Sequence, residues 1–312
     1  HAHIYAGSTY DFFLSNHARD SIDNAGMAII STVHYDSNYD NAFWNGKVMY
    51  YGNGDVGFKP LAGAIDVAGH EMTHGVVQGT ANLEYQGESG AINESMADIF
   101  GSMMDPADWL IGEDVVKTSV FPSGALRSLA DPHNGGTGLS SPGYQPKHKN
   151  EAYTGTEDNG GVHINSGIPN HAFYKYAVAI TRDKAAAVFY KALDDYLTKS
   201  SQFIDLRLAV IQAAGDLYGA GSNEVTQAGI AFDAVGITNG QAGEYTETLP
   251  DNPGTEFLLV YNTDVTDPNT LYRVPLVGNN IAALTTTDFI SRPSITDKGD
   301  VAVFVASDNK IH

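Results

Sequence analysis

There is no cysteine among the 312 residues, which excludes disulfides and any thiolate metal site. Basic residues are few: 17 Lys and Arg stand against 37 Asp and Glu, a formal charge of −20. Nucleic-acid binding, which needs clustered Lys and Arg, is therefore not expected. No apolar run is long enough to span a membrane, and no signal-peptide pattern is visible. The chain opens at His1 in the manner of a processed product, so the expectation is a secreted, extracellular protein whose signal and propeptide lie outside this sequence. With 42% hydrophobic residues, a chain of this length can bury a large core and form more than one domain. The acidity is spread along the chain and is read as solubility plus a few calcium ligands.

What is present is more specific. His70-Glu71-Met72-Thr73-His74 places two histidines four apart, about one helical turn, on one face. Both imidazoles can then reach one metal ion. Glu71 is rotated off that face and can address a water bound to the ion. Downstream, Asn93-Glu94-Ser95-Met96-Ala97-Asp98 sets Glu94 and Asp98 four apart on a second helix. Two His and one distant carboxylate with an open fourth position is the pattern of catalytic zinc. Asp98, one turn beyond Glu94, can accept the free ring N–H of a ligand histidine and fix its orientation.

Along the chain, periodicity predicts helices near 4–18, 65–79, 91–104, 168–180, 183–198, 203–218 and 223–234, with strands at 28–35 and 47–51. The Gly-, Pro-, Ser- and Asn-rich stretch 131–161 reads as a long loop. This pattern predicts an α+β lobe with the zinc helices over 1–166, a helical lobe over 167–240, a linker over 241–255 and a β-rich appendage over 256–312. Short strands are expected at 257–261, 271–274, 281–285 and 301–306. Residues 292–304 loosely resemble a TolB-like β-propeller blade, and fewer than two blades cannot close a propeller.

The chain also resembles the thermolysin-like neutral zinc metallopeptidases from about His3 to about Ile237. The resemblance is carried by the two metal motifs together with Asn41-Ala42-Phe43-Trp44-Asn45-Gly46, Glu88-Ser89-Gly90-Ala91-Ile92-Asn93-Glu94, Leu126-Arg127-Ser128 and Asp158-Asn159-Gly160-Gly161-Val162-His163-Ile164-Asn165-Ser166-Gly167. It implies a two-lobed catalytic unit with one zinc on His70, His74 and Glu94, and a water activated by Glu71. It implies Tyr85 and His163 as oxyanion donors, Asp158 orienting His163, and Arg127 holding a substrate carbonyl. Asn41 and Ala42 would pair with an extended peptide. Phe58, Leu61, Val67, Ile111, Val115 and Leu126 match the family's pocket past the cleaved bond, implying cleavage on the amino side of Leu, Phe, Ile or Val. Asp66, Asp105, Asp108 and Glu113 match a structural calcium site, here expected to hold one ion with the Leu110 carbonyl as a further ligand. The family's β-rich segment preceding Ala2-His3-Ile4-Tyr5 is missing, which implies a propeptide or a separate N-terminal fragment as partner.

Protein and peptide substrates are thus expected for a zinc endopeptidase. A zinc aminopeptidase of the same superclass is the enzyme alternative, although no acidic motif for capturing a free amine stands out. An inactive peptide-binding fragment is the non-enzyme alternative.

Overall fold

In helix α1 (Ala2–His17) the residues Ala6, Thr9 and Phe13, spaced three and four apart, are the buried ones. The helix stops at Ala18, which turns left-handed and returns its N–H to Leu14, while the Arg19 N–H closes on Phe13. The computed structural model describes residues 1–238, 257–261, 271–275, 281–285, 294–295, 302–304 and 310. The stretch 241–255, expected to be a linker, lies outside the described residues. Two compact units are present, His1–Ala242 and Gly243–His312.

In the first unit, Ser31–Val33 (β1), Ala42–Trp44 (β2) and Met49–Tyr51 (β3) form a sheet in the order β1-β3-β2. β1 runs parallel to β3 and β2 antiparallel to it, so β2 keeps one open edge. The pairs Ala42↔Tyr51 and Trp44↔Met49 send Ala42, Met49 and Tyr51 inward, and Phe43 stacks on Tyr50 across the other face. The strand expected over 28–35 shortens to β1, flanked by single bonds to β3 in which the Ile30 carbonyl accepts from the Met49 N–H and the Tyr35 N–H donates to the Tyr51 carbonyl.

Under this sheet runs α2 (Ile65–Gln78), buried on almost every side. Beside it lies α3 (Gly87–Met104). α3 begins before the expected 91: its glycines lower helix propensity, and tertiary packing overrides it. Gly101 lets the helices close up, since a Cβ there would sit 2.7 Å from the Asp66 carbonyl oxygen. A short ladder, Leu110–Ile111 (β4) with Arg127–Ser128 (β5), pairs Ile111 with Arg127.

The helical lobe follows: α4 (Glu157–Asn165), α5 (Gly167–Ile180), α6 (Arg182–Lys191), α7 (Phe203–Tyr218) and α8 (Asn223–Asp233). The helix expected over 183–198 ends at Lys191 and continues as a π turn, Ala192–Tyr196. The start of α4 falls inside the stretch read as loop. After Glu157 the residues Asp158 to Gly161 are all left-handed, with φ of 53, 50, 81 and 81°. No helical pattern is legible in such a segment. Two cores result: one under the sheet with Met49, Leu61, Val67 and Met72, and one among the helices with Phe100, Phe173, Phe189 and Phe232. The architecture of the first unit is the two-lobed α+β arrangement expected. Among the described residues, no helix is long and apolar enough to cross a membrane.

In the second unit, β6 (Phe257–Tyr261), β7 (Leu271–Pro275) and β8 (Ala282–Thr285) form an antiparallel meander. β9 (Ser294–Ile295) pairs with β10 (Ala302–Val303), and Leu271 and Phe304 are buried. The remainder of the 292–304 segment lies outside the described residues.

One histidine of the helical core makes stability depend on acid. His17 stacks on Tyr190 with centroids 4.2 Å apart, and burial lowers its pKa from 6.5 to about 4. The unfolded chain takes up a proton below 6.5 and the folded chain does not until about 4. Stability is therefore whole above 6.5, falls as pH drops through that window and levels off below it. The loss reaches roughly 3 kcal/mol. His17→Phe keeps a stacking ring and removes the proton, so urea unfolding at pH 7 and 4.5 should differ less than in wild type. Equal acid sensitivity in the two proteins would discount the role of His17.

Candidate metal centre and substrate cleft

α2 presents His70 and His74 on one face, and α3 brings Glu94 opposite them. The ring atoms His70 Nε2 and His74 Nε2 are 3.1 Å apart. Glu94 Oε2 lies 3.5 Å from the first and Oε1 3.4 Å from the second. Among the described residues, this is the one group of three such side chains whose donor atoms all fall within 4.8 Å of one another.

The donor set suits zinc. Ligands at about 2.0–2.1 Å around a tetrahedral ion stand about 3.3 Å from one another, close to the observed separations. The hydrogen bonds agree. His70 Nδ1 meets Asp98 Oδ1 at 2.9 Å, and His74 Nδ1 meets Asn93 Oδ1 at 2.8 Å. Asn93 donates its amide to the Leu83 carbonyl, which leaves its oxygen for the histidine. Each imidazole thus carries its proton on Nδ1, and the two Nε2 lone pairs face each other beside a carboxylate. Glu94 is fully buried, and its Oε2 has no hydrogen-bond partner. A cation between these atoms removes the repulsion. Burial would raise the Glu94 carboxyl, and positive charge at His74, His163 and His70 holds it down, the same effect that a cation between the ligand atoms exerts when the imidazoles are neutral.

Asp98 is the hub of the surrounding hydrogen bonds. Its Oδ1 accepts from His70 and also from Arg127 Nε and Nη2, at 3.1 and 2.9 Å. Its Oδ2 accepts from Asn170 Nδ2 at 2.8 Å. Burial works against the Asp98 charge, and the Arg127 guanidinium with His70 holds its carboxyl far below the usual range. Arg127 is thus anchored in a buried ion pair while also lining the cleft.

Glu71 is buried, lines the same cleft and has its carboxyl raised by burial. Across from it, the Tyr85 hydroxyl donates to Glu94 Oε1 and lies 3.1 Å from His163 Nε2. Asp158 holds His163 at both ends, with Oδ1 2.7 Å from Nδ1 and Oδ2 accepting the backbone N–H at 2.8 Å. Burial would lower the His163 pKa, but its bond to Asp158 and the charge of Glu94 raise it. The left-handed run through Gly160 and Gly161 turns this segment toward the cleft. At Gly161 a Cβ would meet the Tyr153 ring at 2.7 Å.

The cleft encloses about 480 Å³. Asn41 and Ala42, at the open β2 edge, form one wall. Phe58, Leu61, Val67, Ile111 and Leu126 form an apolar part, positioned by the β4–β5 ladder. Val115, expected with them, packs behind Leu61 and Val67 in the core and is not among the residues lining the cleft.

The acidic group divides differently. Asp66 is buried, and its carboxylate accepts from the Val67 and Gly112 N–H groups. Asp108 accepts from the Leu110 N–H at 2.8 Å. Burial, with the neighbouring Asp105, pushes Asp66 up to about 6; burial, with Asp66, Asp108 and Asp105, pushes Glu113 up to about 7. Glu113 Oε2 is buried without a partner. Their carboxylates do not converge as closely as the three zinc-type ligands. Arg182, which spacing alone did not single out, ties the same loop down. It donates to the Ser102, Pro106 and Asp108 carbonyls and lies over the Trp109 ring at 3.8 Å.

Asn93, Asn170 and Gln145 also went unread. Asn93 stands next to a ligand, which is a local hint. Gln145 donates to the His163 carbonyl at 2.6 Å and to Ser166 Oγ at 2.8 Å.

Comparison with known proteins agrees with this geometry. Residues 1–78 match the family model described as the thermolysin metallopeptidase catalytic domain, and residues 81–237 match its alpha-helical domain. Bacillolysin of Bacillus caldolyticus is 50% identical over 252 residues, covering 76% of this chain and 45% of its own length. Thermolysin of Alicyclobacillus acidocaldarius subsp. acidocaldarius is also 50% identical over 252 residues, covering 76% and 44%. The chain therefore spans less than half the length of these curated relatives. The structure of a protealysin precursor, a metalloproteinase from Serratia proteamaculans, superposes with a TM-score of 0.70 at 37% identity, covering 76% of this chain and 77% of that one. With the family models matching most of its length, the chain belongs to the thermolysin metallopeptidase family.

Proposed function

We propose that this protein is a secreted zinc endopeptidase that cuts peptide bonds on the amino side of bulky apolar residues. The observation that carries the reading is the convergence of His70, His74 and Glu94 beside Glu71, in a cleft with an apolar end. When bound, zinc supplies a Lewis acid for the attacking water and the scissile carbonyl. Glu71 takes the proton of that water as general base and passes it to the leaving amine. Tyr85 and His163 donate to the oxyanion as it develops, and Asp158 keeps His163 aimed. Arg127 offers its remaining N–H groups to a substrate carbonyl. An extended peptide adds to the β2 edge at Asn41 and Ala42 through its backbone. The side chain after the cut enters the pocket of Phe58, Leu61, Val67, Ile111 and Leu126, with Val115 shaping it from behind. On this reading, 1–166 and 167–240 are the two lobes on either side of the cleft.

An internally quenched peptide blocked at both ends, containing Gly-Leu, tests the reading. Cleavage before Leu is expected, and Asp in place of Leu should reduce kcat/KM at least tenfold. Release of single residues only from unblocked peptides would favour an aminopeptidase. Stoichiometric zinc with no hydrolysis of either would favour a peptide-binding fragment.

Asp66, Asp105, Asp108, Glu113 and the Leu110 carbonyl are read as ligands of one structural Ca²⁺. The support is the raising of Asp66 and Glu113 by burial and by their neighbouring carboxyls, together with the unpartnered Glu113 Oε2. A site filled to 100 times its Kd adds about 2.7 kcal/mol. EGTA at constant zinc should lower the melting temperature accordingly, and an unchanged melting temperature would count against the ion. The second open edge of the sheet, β1 with exposed Ile30 and Val33, is read as the place where an N-terminal segment or propeptide adds.

A further inference from the structure

The loop between β5 and α4 carries an exposed leucine in a setting unlike that of the other exposed aliphatic side chains described in the first unit. Leu139 is 50% exposed. Ile4, Leu14, Val178, Leu208, Leu217 and Ile230 are comparably exposed but sit inside helices, where no protease cleft can straighten the backbone. Val56 is 67% exposed, yet its loop is clamped by Asp40, which accepts from the Asp55, Gly57 and Phe58 N–H groups. Ile30 is held by its carbonyl, which accepts from Met49. Around Leu139, one backbone hydrogen bond, Ser141 N–H to the Gly138 carbonyl, closes a tight turn. Opening it costs about 1 kcal/mol. Beside Leu139, Gly138 has nothing within 4 Å of where a Cβ would be.

The base of this excursion is firm. At Gly135 a Cβ would lie 2.2 Å from the Gly143 carbonyl carbon, so the two strands of the loop touch backbone to backbone there. Just beyond, the Gln145 N–H donates to the Pro132 carbonyl, and the Gln145 side chain holds His163 and Ser166. Residues 136–142 therefore stand out as a pinched loop whose ends are fastened independently of its tip.

We propose that the Gly138–Leu139 bond is a self-processing site, cut in trans by a second copy of this protein, and that the nicked chain stays assembled. The proposal rests on the endopeptidase reading above, because Leu139 is the residue type its apolar pocket accepts and glycine places no side chain before it. Hydrolysis adds hydroxide to the Gly138 carbonyl carbon and a proton to the Leu139 nitrogen as the C–N bond breaks. The products are a Gly138 carboxylate and a Leu139 amine.

The test uses the full chain with zinc. Mass spectrometry after incubation should find a new N-terminus at Leu139, with both fragments eluting together in native buffer and apart in denaturant. Leu139→Asp should slow this cut at least tenfold while casein hydrolysis stays unchanged. The Glu71→Gln chain should not nick itself, but purified thermolysin, added in trace amounts, should cut it first at Leu139. That last arm is independent of this protein's own activity. Thermolysin cutting at Leu139 with no casein hydrolysis by the wild type would sink the endopeptidase reading and leave the loop's susceptibility standing. Active enzyme whose first cut lies elsewhere, or fragments that separate in native buffer, would overturn the proposal.

Discussion

Glu71→Gln should leave one equivalent of zinc bound and lower peptide hydrolysis about 10²–10⁴-fold. The ligands His70, His74 and Glu94 keep their orienting partners in this variant, so the donor set is unchanged. Gln matches Glu in volume and fits the same buried place, but its amide cannot accept the proton of a water. Burial already raises the Glu71 carboxyl in the wild type, which moves its basicity toward the working pH of a general base. The effect should appear in kcat, with KM little changed, because the proposed substrate contacts at Asn41, Ala42 and the apolar pocket are untouched. Zinc by mass spectrometry and steady-state kinetics on the blocked Gly-Leu peptide provide the check. Wild-type turnover in a zinc-loaded Glu71→Gln protein would remove Glu71 from the mechanism.

The second large effect belongs to Asp98, which is fully buried and is not among the residues lining the cleft. Four N–H donors from three residues converge on its carboxylate: one from His70, two from Arg127 and one from Asn170. Asp98→Asn keeps the shape but offers one acceptor oxygen and turns an NH₂ group toward donors. Arg127 is then a buried cation without its partner. Loss of about 3–5 kcal/mol of stability is expected from that alone. His70 also loses its orienting charge, so zinc affinity should fall about 10–100-fold. Asn170→Ala removes one neutral donor and should cost about 1–3 kcal/mol, with zinc affinity nearly unchanged. Urea unfolding and zinc competition with a chelator separate the two consequences. If Asp98→Asn unfolds and binds zinc as the wild type does, the hub assignment is wrong.

The zinc ligands were readable because they are local on each side of the site. His70 and His74 need only helical spacing to share a face, and Glu94 and Asp98 repeat that spacing. Resemblance added Tyr85, His163 and Asp158. The Asp158–His163 pairing itself depends on a left-handed run that periodicity does not describe. Arg127 was expected to reach substrate, and the fold shows it anchored to Asp98 as well. Val115 had the right polarity for the pocket, but its place behind Leu61 and Val67 depends on how the β4–β5 region folds over α2. The helix α3 was placed late because glycine in a sequence argues for a break, whereas here it marks close packing.

By itself, then, the sequence determined most of the helices, α4 excepted, and which side chains could ligate one ion, since these follow from spacing along a single element. The tertiary structure alone decided which groups orient them: Asn93 on His74, Asn170 and Arg127 on Asp98, Gln145 behind His163. Those contacts join residues far apart in the chain. Their formation depends on how closely whole helices approach, a distance that packing sets and no local pattern encodes.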